Sequence, residues 1–164
     1  MNRKLVRRVI MLAMIGCSNL AAGQVIRPTK MQSLLDSLGK ANGVIVLNFW
    51  STWCKPCIDE LPHFIEVSKE LKADSVQLWL VSQDTRSLFQ SGALKDFVAK
   101  RQWDAAHYWL DETDADYYCP LIDKTWSGAI PATLILNSRT GYRAFYEASL
   151  SKQALQDAIK KAMQ

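Results

Sequence analysis

Cys54 and Cys57 stand three residues apart in FWSTWCKPCIDELP, Phe49 to Pro62, among Phe49, Trp50 and Trp53 and ahead of Glu60. Two thiols so spaced can form half a metal site, a permanent disulfide, or a pair that carries two electrons by opening and closing a disulfide. Tetrahedral zinc needs four ligands, and neither Cys119 nor the isolated His63 and His107 supply a second pair at ligand spacing. No metal and no cofactor are therefore expected. Covalent haem attachment requires His directly after the second cysteine, where this chain has Ile58. A bridge across so small a loop restrains the unfolded chain little, which weakens the case for a purely structural staple.

The elements around the pair favour redox work. Gly43 to Phe49, GVIVLNF, is a β-branched run with the character of a buried strand, and Val76 to Val81, VQLWLV, is a second. Between them Ile58, Leu61, Ile65 and Leu71, with Phe64 beside them, recur near helical spacing. Strand, helix and strand in this order make a βαβ unit with parallel strands. The spacing further predicts a helix over Ala93 to Trp103, a short strand over His107 to Leu110, and a strand over Ala132 to Leu136. A turn at Thr140–Gly141 leads to an antiparallel partner over Arg143 to Glu147. A last helix carries Leu155, Ile159 and Met163 on one face, with Ser151 as its cap. The fold class is α/β, a mixed sheet with helices on both faces.

The cysteine pair thus falls at the junction of the first strand and its helix. Unsatisfied N–H groups and the macrodipole at a helix N-terminus favour an anion, so the Cys54 thiolate is the stabilised one. Cys57, one turn later, should lie deeper and keep its proton. That asymmetry makes Cys54 the attacking thiol and Cys57 the resolving one. Glu60 lies three residues beyond Cys57, shares its helical face and can lean toward it. Burial would raise its pKa and suit it to accept the Cys57 proton; an exposed helix-start carboxylate is the alternative. Lys55 and Pro56 separate the cysteines, and a positive Lys55 would favour the thiolate modestly. Pro62 should kink the helix. Trp50 and Trp53 are expected around the active loop, with Trp53 on its rim, and Trp79, Trp103, Trp109 and Trp126 in the core. Cys119 is expected as a buried free thiol, His63 and His107 as structural or surface residues.

NFWSTWCKPCIDELP, with GAIPATLIL at Gly128 to Leu136, resembles the TlpA/ResA-like branch of the thioredoxin superfamily over about 120 residues, Gly43 to Met163. The resemblance implies the thioredoxin fold, a four- or five-stranded mixed sheet flanked by helices. It implies that Pro131 is a cis-proline facing the cysteines, with Ile130 before it. That loop would expose backbone groups able to pair with an extended substrate segment. Trp53, Lys55, Pro56, Ile130 and Pro131 are thus the expected substrate-binding set, and Glu60 matches the branch's acidic residue. Thioredoxin's buried Asp in the preceding strand corresponds here to Asn48, which cannot take a proton. The implied activity is a thiol–disulfide oxidoreductase acting on protein disulfides or dithiols, most often as a reductase, for instance in cytochrome c maturation or envelope stress defence. An upstream membrane electron donor is the implied partner. A thiol peroxidase on the same fold would place its cysteine in a Thr/Ser-rich motif beside an Arg, whereas here Ser51 stands three residues before Cys54 with no Arg close by. A redox-inert binding domain is the non-enzymatic alternative.

The first residues read differently from the rest. Arg3, Lys4, Arg7 and Arg8 precede an apolar run from Val9 to Cys17, and small residues end at Ala21-Ala22-Gly23, the layout of an export signal over residues 1–23. A single domain would follow over residues 24–164, with its core at 43–163. Met14-Ile15-Gly16-Cys17 resembles a lipobox, which would make Cys17 a lipid anchor; Ala21-x-Gly23 is a competing cleavage site for a soluble product. Either route leads to the periplasm or cell envelope of a bacterium. The four basic residues of the leader account for the whole net charge of +4. With no basic patch left in the body, nucleic acid is not an expected partner.

Overall fold

A computed structural model describes residues 24–164. The export signal expected over residues 1–23, with Cys17, falls outside the described residues. Strand β1 (Ile26–Thr29) leads to helix α1 (Met31–Lys40), β2 (Val44–Trp50), α2 (Lys55–Glu70) and β3 (Val76–Ser82). Helices α3 (Arg86–Gln90) and α4 (Ala93–Arg101), β4 (Ala106–Leu110) and α5 (Ala115–Ile122) follow. The chain closes with β5 (Ala132–Asn137), β6 (Tyr142–Tyr146) and α6 (Lys152–Ala162). The sheet has six strands in the order β1-β4-β3-β2-β5-β6. Strands β1 to β4 run parallel, and β5 and β6 form the antiparallel hairpin.

The expected strands and their pairing hold, with one strand more than the four or five implied. The extra strand is β1, an edge strand that adds to β4 in parallel. It contains Arg27 and Pro28 and shows no apolar alternation; proline is tolerated there because an edge strand leaves one row of N–H groups unpaired. The helix expected to Trp103 ends at Arg101, where Gln102 turns to a left-handed backbone (φ 50°). Met163 is an exposed cap residue of α6. The buried stripe there is Leu155, Ala158, Ile159 and Ala162.

Strand β2 is buried along its whole length because both faces are covered. Val44, Val46 and Trp50 join one core with Leu61, Phe64 and Val67 of α2 and the apolar face of α6. Ile45, Leu47 and Phe49 point the other way, into a core with Met31, Leu34 and Leu38 of α1 and Ile122 of α5. This period of two puts Asn48 on the α2 side. Gly43 starts the strand at φ 83°, and a Cβ there would sit 2.3 Å from the Ser75 carbonyl oxygen, so only glycine lets β2 and β3 begin side by side.

Candidate active site

Cys54 is the residue that caps α2, and Pro56 in the first turn suits a position where a backbone N–H would be unpaired anyway. Its Sγ accepts a hydrogen bond from the Cys57 amide at 3.3 Å, so a helix-start N–H points at this sulfur. A disulfide joins Cys54 to Cys57. Cys57 is fully buried, and Cys54 is nearly so. Trp53 beside it is 69% exposed, Lys55 and Pro56 are exposed, and Ile130 is half-buried. The Ile130–Pro131 peptide is cis, and the Ile130 carbonyl oxygen lies 3.7 Å from Cys54 Sγ. The two loops named from the sequence therefore meet at the sulfur. Lys55 turns away toward solvent and pairs with Asp59 at 2.6 Å, an exposed i,i+4 contact that leaves little of its charge for the thiolate.

Glu60 is buried, which excludes the exposed helix-start alternative. Both oxygens are engaged: Asn48 Nδ2 donates to Oε1 at 2.9 Å and the Leu150 amide to Oε2 at 2.9 Å. Asn48 also donates to the Thr133 hydroxyl at 3.0 Å, which ties β2, β5 and α2 together under the cysteines. Burial pushes the Glu60 carboxyl above its ordinary value, and the bonds from Leu150, Asn48 and Ser149 pull part of the way back. An open cleft of about 420 Å³, lined by Lys55, Pro56, Asp59, His63 and Leu150 as well as Glu60, connects the carboxyl to solvent.

Two further carboxylates escaped the reading of the sequence. Asp84, just past β3, accepts from the Thr52 amide (3.1 Å), the Thr52 hydroxyl (2.7 Å) and the Ser82 hydroxyl (2.8 Å), so it holds the loop that delivers Cys54. Its position beyond the carboxyl end of a parallel strand was the available signal. Glu147, just past β6, accepts from Ser127 and Ala129 in the loop before Ile130; nothing in its local pattern marks it. Trp50, Trp79, Trp103, Trp109 and Trp126 are all buried, and Cys119 is a buried free thiol. Burial raises the Cys119 pKa to about 11, which makes it a poor nucleophile. His107 is buried in the sheet, and His63 borders the cleft.

The AhpC/TSA family model matches residues 29–140, which include both loops and Glu60. A thiol:disulfide interchange protein DsbE homolog of Paracoccus denitrificans is 39% identical over 66 residues, 40% of this chain and 36% of the relative. The thiol-disulfide oxidoreductase ResA of Bacillus cereus is 36% identical over 75 residues, 46% of this chain and 38% of the relative. The matches thus span little more than a third of these relatives' length. Among solved structures, a thioredoxin-related protein from Neisseria meningitidis serogroup B superposes with a TM-score of 0.62 at 25% identity, covering 74% of this chain and 85% of that one. This chain carries a disulfide between two cysteines three residues apart at a strand–helix junction, facing a cis-proline loop, and it belongs to the AhpC/TSA family, on a thioredoxin fold of the TlpA/ResA-like kind.

Proposed function

We propose that this chain is an exported thiol–disulfide oxidoreductase that works as a disulfide reductase, with Cys54 as attacking thiolate, Cys57 as resolving thiol and Glu60 as proton acceptor. The asymmetry of the pair carries the reading. Cys54 caps α2 at the rim between Trp53 and Ile130, while Cys57 lies one turn deeper on the buried side of the helix that also holds Glu60. In the dithiol form, the Cys54 thiolate attacks one sulfur of a substrate disulfide; a mixed disulfide forms and the other substrate sulfur leaves as a thiolate. Glu60 then takes the Cys57 proton, and the Cys57 thiolate attacks Cys54 Sγ. The mixed disulfide breaks, the substrate departs as a dithiol, and two electrons have passed to it. The pair is left as the disulfide seen here. The proton on Glu60 returns to water through the adjoining cleft, and an upstream dithiol donor at the membrane reduces the pair again. Trp53, Lys55, Pro56, Ile130 and Pro131 receive the substrate. Cytochrome c maturation is one process that such a reductase serves.

Cys54→Ser should abolish reduction of insulin disulfides, and Cys57→Ser should accumulate the covalent mixed disulfide with substrate. Equal trapping by both variants would reject the order of attack. A reduction potential near that of thioredoxin, about −270 mV, fits a reductase, whereas a value near −120 mV would assign the opposite direction. Consumption of peroxide in place of disulfide would favour a thiol peroxidase. The polar groups at Cys54 Sγ, the Cys57 amide and the Ile130 carbonyl, include no arginine among the described residues. A pair that resists both mild reductant and alkylation would mark a redox-inert binding domain.

A further inference from the structure

Glu147 aims its carboxylate at the loop that delivers Ile130. A single oxygen, Oε1, accepts from the Ser127 amide at 3.0 Å, from the Ala129 amide at 3.1 Å and from the Ser127 hydroxyl. From the other side the Trp126 indole N–H donates to the Ala129 carbonyl at 2.9 Å. Between these anchors Gly128 takes φ 93°, so the loop crosses a stretch of backbone with no regular ladder to support it. The residue after Ala129 is Ile130, whose carbonyl stands against Cys54 Sγ. Whatever fixes Ser127 and Ala129 therefore fixes the side of the site opposite the sulfur.

We propose that Glu147 is a positioning residue for disulfide exchange: by gathering Ser127 and Ala129 onto one oxygen it holds the backbone of residues 128–130 in the register that an extended protein substrate meets beside Cys54. The inference rests on the oxidoreductase reading above. Its physical basis is preorganisation. A loop already fixed in the bound geometry loses less freedom when a substrate strand pairs with it, and a displacement of about 1 Å near reacting atoms can cost a hundredfold in rate. Because all three bonds share one oxygen, the role needs an acceptor at that place and not a charge; an amide oxygen suffices.

The test uses the full chain with four side chains at this position, assayed with insulin and with a small aromatic disulfide. Glu147→Ala is expected to lower kcat/KM for insulin about tenfold, chiefly through KM, with a smaller loss for the small disulfide, which makes fewer loop contacts. Glu147→Gln is expected to recover to within about twofold of the parent, since its oxygen can keep the bonds. Glu147→Asp retains the charge but withdraws the oxygen by one methylene, and should lie nearer to Ala than to Gln. Equal losses in Ala and Gln, equal losses for both substrates, or an alanine variant with unchanged KM would each overturn the proposal. If Glu147→Ala loses its near-ultraviolet dichroism and is unfolded, the order of Gln and Asp decides, and Asp closer to the parent than Gln overturns it. A parent chain inactive on both disulfides counts against the oxidoreductase reading, while an active parent with indifferent variants counts against Glu147 alone.

Discussion

Glu60 shows how a residue's environment changes what a substitution means. Read as a helix position alone, Glu60→Gln keeps shape and helix propensity. In the folded chain both oxygens accept N–H groups, so the new amide would face a donor, Asn48 or Leu150. Asn48 offers relief: its Oδ1 has no partner among the described residues, and turning its amide would present that oxygen to Gln. The variant is therefore expected to fold. It should make the first attack by Cys54 normally and resolve the mixed disulfide about a hundredfold more slowly, the scale of a lost general base. Stopped-flow measurement of the two steps separates them, and unchanged resolution would reduce Glu60 to a structural role. Linkage supplies a second readout. A carboxyl whose folded pKa is raised binds protons more tightly when folded, so its contribution to stability is full below the ordinary carboxylate range, about 4.3, and is lost as pH rises toward the folded value. Urea midpoints from pH 4 to 8 should show Glu60→Gln gaining on the parent as pH rises. A pH-independent difference would contradict the shift.

At the scale of elements, β4 carries the opposite pH dependence. His107 is buried, its Nε2 donates to the Trp103 carbonyl at 3.0 Å, and Nδ1 has no partner among the described residues. A second proton on this ring would be buried and unpaired, so desolvation lowers its pKa, with the Trp103 carbonyl and Asp104 opposing. A depressed imidazole pKa means stability that is present above about pH 6.5 and is lost as pH falls toward the folded value. His107→Leu should flatten the fall in the parent's urea midpoint between pH 7 and pH 5; a parallel fall in both would assign that limb elsewhere. The helices differ in how openly the sequence announces them. Met31, Leu34 and Leu38 recur at helical spacing in α1, a helix the sequence reading did not name, whereas Pro120 interrupts α5 and Arg27 with Pro28 disguise β1. Those two elements form because the β4 edge and the second core offer them a place, not because their own residues insist.

For the whole molecule, the export signal expected over residues 1–23 is the prediction still to be tested. The described body carries no helix long and apolar enough to cross a membrane. The basic residues that make the chain positive all precede Val9, and the remainder is formally neutral. Processing is expected either before Cys17, with lipid attached there, or after Gly23. Palmitate labelling of the parent that disappears in Cys17→Ala would establish the anchor; a shortened, unlabelled protein outside the cytoplasm would establish the soluble form. An unprocessed chain would remove the case for export.

The family resemblance implied the proline strand that faces the thiols; the sequence by itself determined the rest of the frame, namely two thiols at a strand–helix junction, a carboxyl one turn on, and the succession of β2, α2, β3, α4, β4, β5, β6 and α6 without α3 and α5. Such features are local, because strand and helix periods and capping positions act over a few residues. Tertiary structure alone decided what surrounds them. Asn48 reaches Glu60 across 12 residues of chain, Asp84 reaches Thr52 across 32, and Leu150 reaches Glu60 across 90. Ala129 and Glu147, 18 residues apart, meet only because the β5–β6 hairpin brings the end of β6 back beside the loop that precedes β5. No periodicity encodes such contacts. They arise when packed layers leave a buried polar group with one partner in reach, and the cost of leaving it unpaired selects the arrangement.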